Sequence, residues 1–344
     1  MTMGAPIARA GARGWRVLLG IAIVVLFGAL VARDFQGAWY EEEDRHRVVV
    51  KLAIYWCSWL LWPALAVLAR ETWRTARRRK PAATAAGLVA LALCGCFTWA
   101  RFIEPNWLQV RETPLGTSCG VRVALISDLH IGLYVREAEL QRLVDRLNTL
   151  QVDAVLVAGD WTFEPSHDLR TTFAPLAGVR HRVLSVLGNH DEQRPGPPLR
   201  DELQQALAAA HVEAIDGKRV SLGRCELQGL GDRTAGSAQR DLDASRKHPW
   251  SVDRAHRVML THNPDTVFDL QPDEAALLLA GHTHGGQIDI PVFTKHLLAH
   301  ATDGGFQQGL YELKNARVYV TPGVGIDKLP LRFRVPPTID VLIF

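Results

Sequence analysis

Three runs without a single charged residue fall within the first hundred positions of this 344-residue chain. They are Val17–Ala32 (VLLGIAIVVLFGALVA), Leu52–Ala69 (LAIYWCSWLLWPALAVLA) and Ala82–Ala100 (AATAAGLVALALCGCFTWA). Each approaches the roughly 20 residues that an α-helix needs to cross a hydrocarbon core. Trp15, Trp99 and Trp107 stand at or near their ends, where amphipathic rings favour the headgroup zone. The first run is as short as a signal-peptide core, but no small-x-small cleavage site follows it and two more runs do. The expectation is a membrane anchor over residues 1–110 with three transmembrane helices, at about 17–32, 52–69 and 82–100. The other reading, buried helices of a soluble domain, is disfavoured by three such runs in succession.

Basic residues set the orientation. Residues 1–100 hold thirteen Lys/Arg against six Asp/Glu, a net of +7, and the rest of the chain carries a net of −4. Arg9, Arg13 and Arg16 precede the first run, and RETWRTARRRK (70–80) joins the second to the third with six bases and one acid. Between the first and second runs, acids offset the bases. Because Lys and Arg concentrate on the cytoplasmic side, both basic segments belong there, and everything after Arg101 lies outside. A third run that did not cross would leave the remainder in the cytoplasm. The acidic balance beyond residue 100 gives no nucleic-acid footprint. Cys57, Cys94 and Cys96 lie in the apolar runs. Cys119 and Cys225 do not, and whether they pair is left open by sequence alone. There is no CxxC, hence no zinc-ribbon or thioredoxin-like site.

Beyond Gly120 short apolar runs alternate with polar turns. VRVALIS (121–127), DAVLVAGD (153–160), HRVLSVLGNHD (181–191), HRVMLTHN (256–263), AALLLAGHTH (275–284) and RVYVTPGVG (317–325) read as buried strands with polar tips. Leu140, Leu143, Val144, Leu147 and Leu150 fall at helical spacing within 136–150, and a second helix is expected in 200–212. Residues 231–248 form the most loop-like stretch. Strands buried on both faces and alternating with helices predict an α/β fold, in which ligands collect at the carboxyl ends of strands.

The polar tips fall there: Asp128 and His130, Asp160, Asn189 and His190, His262, then His282 and His284. Carboxylates, imidazoles and an amide suit Zn, Mn or Fe, and the absence of thiolates argues against a Cys-type structural zinc site. Any one of these residues alone is an ordinary turn or cap residue. Seven candidate ligands (all but His190) are too many for one tetrahedral ion and suit two, with one carboxylate bridging.

The ordered blocks SDLH (127–130), AGD (158–160), LGNHD (187–191), THN (261–263) and AGHTHGG (280–286) resemble those of the calcineurin-like metallophosphoesterases. The resemblance covers roughly residues 115–344. GHTHGGQ and the tail VTPGVGIDKLPLRFRVPPTIDVL are most similar to a bacterial membrane-anchored subgroup. It implies a four-layer α/β/β/α sandwich following the three apolar helices, with two divalent metal ions, Mn, Fe or Zn. Asp128, His130 and His284 would hold the first ion, and Asn189, His262 and His282 the second, with Asp160 bridging. His190 would contact phosphate or protonate the leaving group. The implied reaction is hydrolysis of phosphate esters by a metal-bridging hydroxide. The substrate is a phosphorylated small molecule or lipid, and anchoring in a bacterial inner membrane favours an envelope or lipid-linked one.

The charges agree. Two divalent ions against Asp128, Asp160 and a hydroxide leave about one positive charge for an anionic phosphoryl group. Such ions lower the pKa of water toward about 7, and a positioned imidazole contributes about 10²–10⁴-fold. Gly281, Gly285 and Gly286 let the backbone turn tightly. One departure stands out: Phe163 occupies a place where many relatives carry an Asp that orients the catalytic histidine, with Glu164 or Asp168 as candidate substitutes. Asp191 reads as a helix N-cap in preference to a residue supporting the metal ligands from behind. His167, His211, His248, His256, His296 and His300 read as surface residues. Arg332 and Arg334 read as solvated or as phosphate contacts. Leu297, Leu298, Leu329, Leu331 and Phe333 read as core in preference to an apolar substrate groove. Two alternatives accompany this reading. One is a hydrolase like the UDP-diacylglucosamine pyrophosphatases of lipid A synthesis, which needs cytoplasmic access. The other is a non-catalytic membrane metal sensor, which would be expected to have lost His190 or Asp160.

Overall fold

The computed structural model describes residues 7–40, 44–165, 168–192, 199–299 and 301–344, with side chains from Leu18 onward except Phe293 and Leu297. The side chains of Arg9, Arg13, Trp15, Arg16 and Leu297, together with all of His167 and His300, therefore lie outside the described residues.

The N-terminal third is helical: α1 (Ile7–Gly37), α2 (Arg45–Cys57), α3 (Leu61–Arg77) and α4 (Pro81–Thr98). A short 3-10 turn joins α2 to α3, three residues before Pro63, which cannot donate to the carbonyl of Trp59. Pro81 opens α4 at a position where a missing N–H costs nothing. Three stretches are long and apolar enough to cross a membrane: Leu18–Gly37, Arg45–Arg77 and Pro81–Asn106. At most 6% of their most apolar windows is buried inside the molecule. Helices apolar on all sides and not covered by protein suit a bilayer.

The second stretch begins at Arg45, earlier than the apolar run suggests, because its first turns dock on the C-terminal domain. Val48 and Leu52 are fully buried in that domain's core. α3 and α4 pair antiparallel, with Thr84 Oγ1 3.1 Å from Thr75 Oγ1 and Arg101 Nε donating to Ser58 Oγ at 2.8 Å. The basic turn at Arg78–Lys80 thus lies at the end of the helical hairpin remote from the domain. The connection between α1 and α2 lies at the near end, where the Trp39 amide donates to the Pro165 carbonyl.

Two six-stranded sheets build the rest. Numbered along the chain, the strands are β1 (Gln109–Pro114), β2 (Arg122–Ile126), β3 (Ala154–Ala158), β4 (Arg182–Val186), β5 (Val212–Ala214) and β6 (Arg219–Leu222). They continue as β7 (Cys225–Gly229), β8 (Arg257–Leu260), β9 (Leu277–Ala280), β10 (Gly309–Glu312), β11 (Arg317–Val320) and β12 (Thr338–Ile343). The first sheet runs β1-β12-β2-β3-β4-β5 and the second β10-β11-β9-β8-β7-β6. β2 to β5 are mutually parallel, as are β7, β8, β9 and β11.

Period-two alternation assigns the layers. Val123, Leu125, Leu156 and Leu184 face Leu227, Val258, Leu260 and Leu277 between the sheets. Ala124, Ile126, Val155 and Val157 face the other way, under Leu140, Leu143, Val144 and Leu147 of α5 (Glu137–Leu147). Met259, Leu278 and Val318 meet Ala238 and Leu242 of a helix at Ser237–Ser245. The result is the α/β/β/α sandwich expected from sequence. Residues 231–248 are a correction. They contain that helix, whose only buried apolar positions are Ala238 and Leu242, too few to register as helical periodicity. Cys119 and Cys225 form a disulfide with Cα atoms 5.0 Å apart, joining the approach to β2 with the start of β7. It ties the two sheets together at the end opposite the polar strand tips.

Candidate metal centre

Every polar tip singled out in the sequence follows the carboxyl end of a parallel strand: β2 for Asp128 and His130, β3 for Asp160, β4 for Asn189 and His190, β8 for His262, and β9 for His282 and His284. Five of these residues, Asp128, His130, Asp160, His282 and His284, have φ between 50° and 72°. The left-handed region costs a non-glycine residue about 1–3 kcal/mol and persists only where the surroundings over-determine it. Here the loops are bonded to one another. Asp128 N donates to Gly159 O at 2.9 Å, His130 N to Asp160 O at 3.1 Å, Gly281 N to His262 O at 3.0 Å and Gly325 N to Asp128 O at 2.8 Å. A Cβ on Gly281 would lie 2.7 Å from Asp128 Oδ2 and collide with Ser127, so this first position of the GHTH turn admits no side chain.

The side chains converge. His284 Nε2 lies 3.3 Å from Asp128 Oδ1 and 3.0 Å from His130 Nε2. Asp160 Oδ2 lies 3.2 Å from His262 Nε2 and 3.6 Å from His130 Nε2. His282 turns Nδ1 toward His262 Nε2 at 3.0 Å. The far nitrogens of three imidazoles meet backbone carbonyls: His262 Nδ1 at Ala158 O (2.7 Å), His282 Nε2 at Ala301 O (3.2 Å) and His130 Nδ1 at Thr162 O (3.3 Å). Donating there leaves each inward nitrogen as a lone pair, the arrangement that metal-binding histidines adopt. Asp128 Oδ1 and Asn189 Oδ1 are buried without a hydrogen-bond partner. Orphaned acceptors among clustered lone pairs call for a cation, and the donor set suits a divalent one.

The electrostatics agree. Burial raises the pKa of Asp160, but the charges of His262 and His190 outweigh it and hold the carboxyl well below the usual range. Burial lowers His262, but Asp160 overrides it and keeps that imidazole well above its usual value. Protons here supply the positive charge that a bound cation would bring. His190 and His284 go the other way, pushed down by burial to about 4 and about 3.

Several readings change at the rim. Asp191 is no N-cap. Its buried carboxylate accepts from Trp161 N (3.1 Å), Thr162 N (3.0 Å), Thr162 Oγ1 (2.9 Å) and Gly188 N (3.0 Å), binding the Asp160 loop to the Asn189 loop. Neither proposed substitute for the missing Asp reaches His190. Glu164 pairs with Lys51 of α2, and Asp168 caps the helix at Leu169–Phe173 through Thr171 N at 3.0 Å. Phe163 itself packs against His190, with ring centroids 5.3 Å apart. The carboxylate that faces His190 Nε2, at 4.0 Å, is Asp327, which sequence reasoning missed. Its only signal was the GIDKLP tail, some 140 residues away.

Arg332 is fully buried, not solvated. It donates to the carbonyls of Gly325, Pro322 and Val335 at 2.9–3.0 Å, and its Nη2 lies 3.5 Å from His284 Nδ1. Arg334 is exposed. His211, His248 and His296 are at the surface, while His256 is partly covered and bonds Asp253 at 2.7 Å. Leu298 is buried as core and Leu329 is exposed, and both also line a cavity of about 250 Å³ shared with His282 and His284.

A four-layer α/β/β/α sandwich carrying Asp, Asn and His donors on its strand ends is the scaffold of a metal-dependent hydrolase. Residues 121–286 match the family model of the calcineurin-like phosphoesterases, so this part of the chain is a calcineurin-like phosphoesterase domain. A transmembrane protein with metallophosphoesterase domain from Danio rerio is 30% identical over 226 residues, 62% of this chain and 50% of that one. Phosphodiesterase YaeI from Escherichia coli is 25% identical over 281 residues, 77% of this chain and 98% of its own length. The UDP-2,3-diacylglucosamine pyrophosphatase LpxG from Chlamydia muridarum is 24% identical over 306 residues, covering 71% and 91%. The chain is a metal-dependent phosphoester hydrolase. Its family uses divalent metals, and the clustered donors described above are the candidates to hold them.

Proposed function

We propose that this protein is a membrane-anchored phosphoesterase with two divalent ions, acting outside the cytoplasmic membrane on a lipid-linked or envelope phosphate ester. The convergence of seven donors from five strand ends carries the reading. Asp128, His130 and His284 would hold one ion and Asn189, His262 and His282 the other, with Asp160 serving both. Bound there, the ions supply Lewis-acid stabilisation of phosphoryl oxygens and lower the pKa of water to about 7. The protein holds the donors in strained loops, keeps the imidazole lone pairs inward and places His190 at the cleft wall. That imidazole, neutral in the free site, donates its one N–H to a phosphoryl oxygen, with Asp327 as its neighbour.

Substrate class follows from the apolar annex. Ile288, Leu298 and Leu329 line it, His282 and His284 open it to the metal cleft, and Lys328 stands at its lip. An acyl or prenyl tail suits such an apolar wall, which supports a lipid-linked substrate. Topology draws support from two features. The α1–α2 connection and the catalytic domain share one end of the helices while the basic turn at 70–80 occupies the other, which positive-inside bias assigns to the cytoplasm. The Cys119–Cys225 disulfide belongs in an oxidising compartment. The chlamydial relative supports a second reading, pyrophosphate hydrolysis on a nucleotide-linked lipid. A Leu329→Glu variant separates the classes. Turnover of a lipid-linked phosphodiester should fall at least tenfold in kcat/KM while that of bis-p-nitrophenyl phosphate stays within twofold. Equal losses on both would remove the lipid assignment.

A further inference from the structure

A second cavity, of about 410 Å³, lies away from the cleft, where α4 leaves the membrane-spanning stretch and meets the catalytic domain. Its apolar wall comes from Leu108, Leu140, Leu143, Leu129, Ile131 and Ile326. At its base Arg101 is only 8% exposed. The guanidinium stacks over Tyr55 at 4.4 Å and spends Nε on Ser58, but Nη2 is buried with no hydrogen-bond partner. Burying a guanidinium N–H unsatisfied is costly, and the cost is relieved by an anionic acceptor. Arg142, which pairs with Glu139 at 2.9 Å, and Arg146 add two more cations at the mouth and leave it with a net positive charge. Trp107, 54% exposed beside them, marks the depth of a headgroup zone.

We propose that this cavity binds an anionic phospholipid of the surrounding bilayer. Its phosphate meets Arg101, Arg142 and Arg146, and its chains run back along the uncovered faces of the membrane-spanning helices. A phosphate would supply the acceptor that Arg101 Nη2 lacks, whereas a zwitterionic headgroup brings its own cation into a site that already carries a net positive charge. The occupant presses on the reverse side of the metal loop, because Leu129 and Ile131 alternate with Asp128 and His130 in DLHI. The inference rests on the membrane placement proposed above.

Native mass spectrometry of the full chain released from detergent micelles tests it, with dioleoylphosphatidylglycerol, dioleoylphosphatidylcholine and inorganic phosphate as probes. Phosphatidylglycerol should be retained at least tenfold more tightly than phosphatidylcholine. That preference should vanish in Arg142→Glu/Arg146→Glu and in Arg101→Gln, and persist in Arg77→Glu/Arg78→Glu at the far end of the hairpin. The surface pair keeps the test sound if Arg101→Gln does not fold. Equal retention of the two lipids overturns the proposal, as does a preference lost only in the 77/78 variant or displacement by inorganic phosphate at lipid-like concentrations. Carbonate extraction of native membranes is read separately. A chain that stays in the pellet keeps its membrane placement whichever way the lipid result falls.

Discussion

Asp191 accepts four hydrogen bonds from two different metal-bearing loops, and its value lies in holding them in register. An amide would turn one acceptor into a donor facing other donors. Asp191→Asn should therefore weaken metal affinity about 10–100-fold, the usual cost of removing such support, with the fold kept. Isothermal titration with Mn²⁺ checks this, and an unchanged affinity would count against the role. Its neighbour in sequence, His190, was legible from the GNHD motif. For Asp191 the cap was favoured over a supporting role, because Trp161 and Thr162 lie some thirty residues away and a carboxylate after a turn looks like any N-cap. Asp216 carries the clearest pH signature. Burial is the main cause that lifts its carboxyl to about 6, with the Glu192 charge adding and the Leu187 amide and Arg200 opposing. Below about pH 4 it is protonated folded or unfolded, and nothing is lost. Between about 4 and 6 the unfolded chain releases its proton first, so stability falls as pH rises, by roughly 3 kcal/mol in full above pH 6. In metal-free protein, the melting-temperature gain of Asp216→Asn over wild type should be larger at pH 7.5 than at pH 4.5. The same gap at both pH values would contradict the assignment.

At the scale of elements, the strand–tip–helix units were readable and the edges were not. β2, β3, β4, β8, β9 and β11 announce themselves as continuous β-branched and leucine runs because both faces are buried. β1 and β10 lie on sheet edges with alternating exposure, and β12 completes its sheet from the far end of the chain, so local pattern carries little of them. The GHTH turn shows what the strain is for. Gly281 leaves room for Asp128 to reach across, and Gly281→Ala should disrupt both loops. We expect hydrolysis to fall more than a hundredfold with little change in far-UV circular dichroism. Activity within threefold of wild type would mean that the close approach is dispensable. The disulfide acts on the sheets as a pair. Closing a span of 106 residues, it constrains the unfolded chain, and Cys119→Ser with Cys225→Ser should cost about 2–5 kcal/mol of stability. The site lies at the opposite end, so kcat on a soluble diester should hold at temperatures where the variant remains folded.

For the whole molecule, the apolar helices and the C-terminal domain are not separate modules joined by a tether. Val48 and Leu52 sit in the domain core, Lys51 pairs with Glu164, and Arg332 N donates to Ala100 O at 2.8 Å while its guanidinium lies beside His284. The apolar runs were legible in the sequence but this docking was not, because its contacts are far apart along the chain, as Lys51 and Glu164 are at a separation of 113 residues. The orientation makes its own prediction. Alkaline phosphatase fused after Phe344 should be active and a fluorescent-protein fusion dark, whereas the reverse pattern would place the domain in the cytoplasm and favour the pyrophosphatase reading. The central claim is that the converging strand tips form a two-ion hydrolytic site. The most direct test strips the purified protein of metal and follows hydrolysis of bis-p-nitrophenyl phosphate as Mn²⁺ is added back. Turnover should rise to saturation near two ions per chain and be lost in Asp160→Ala. Turnover indifferent to metal, or full activity in Asp160→Ala, would contradict it.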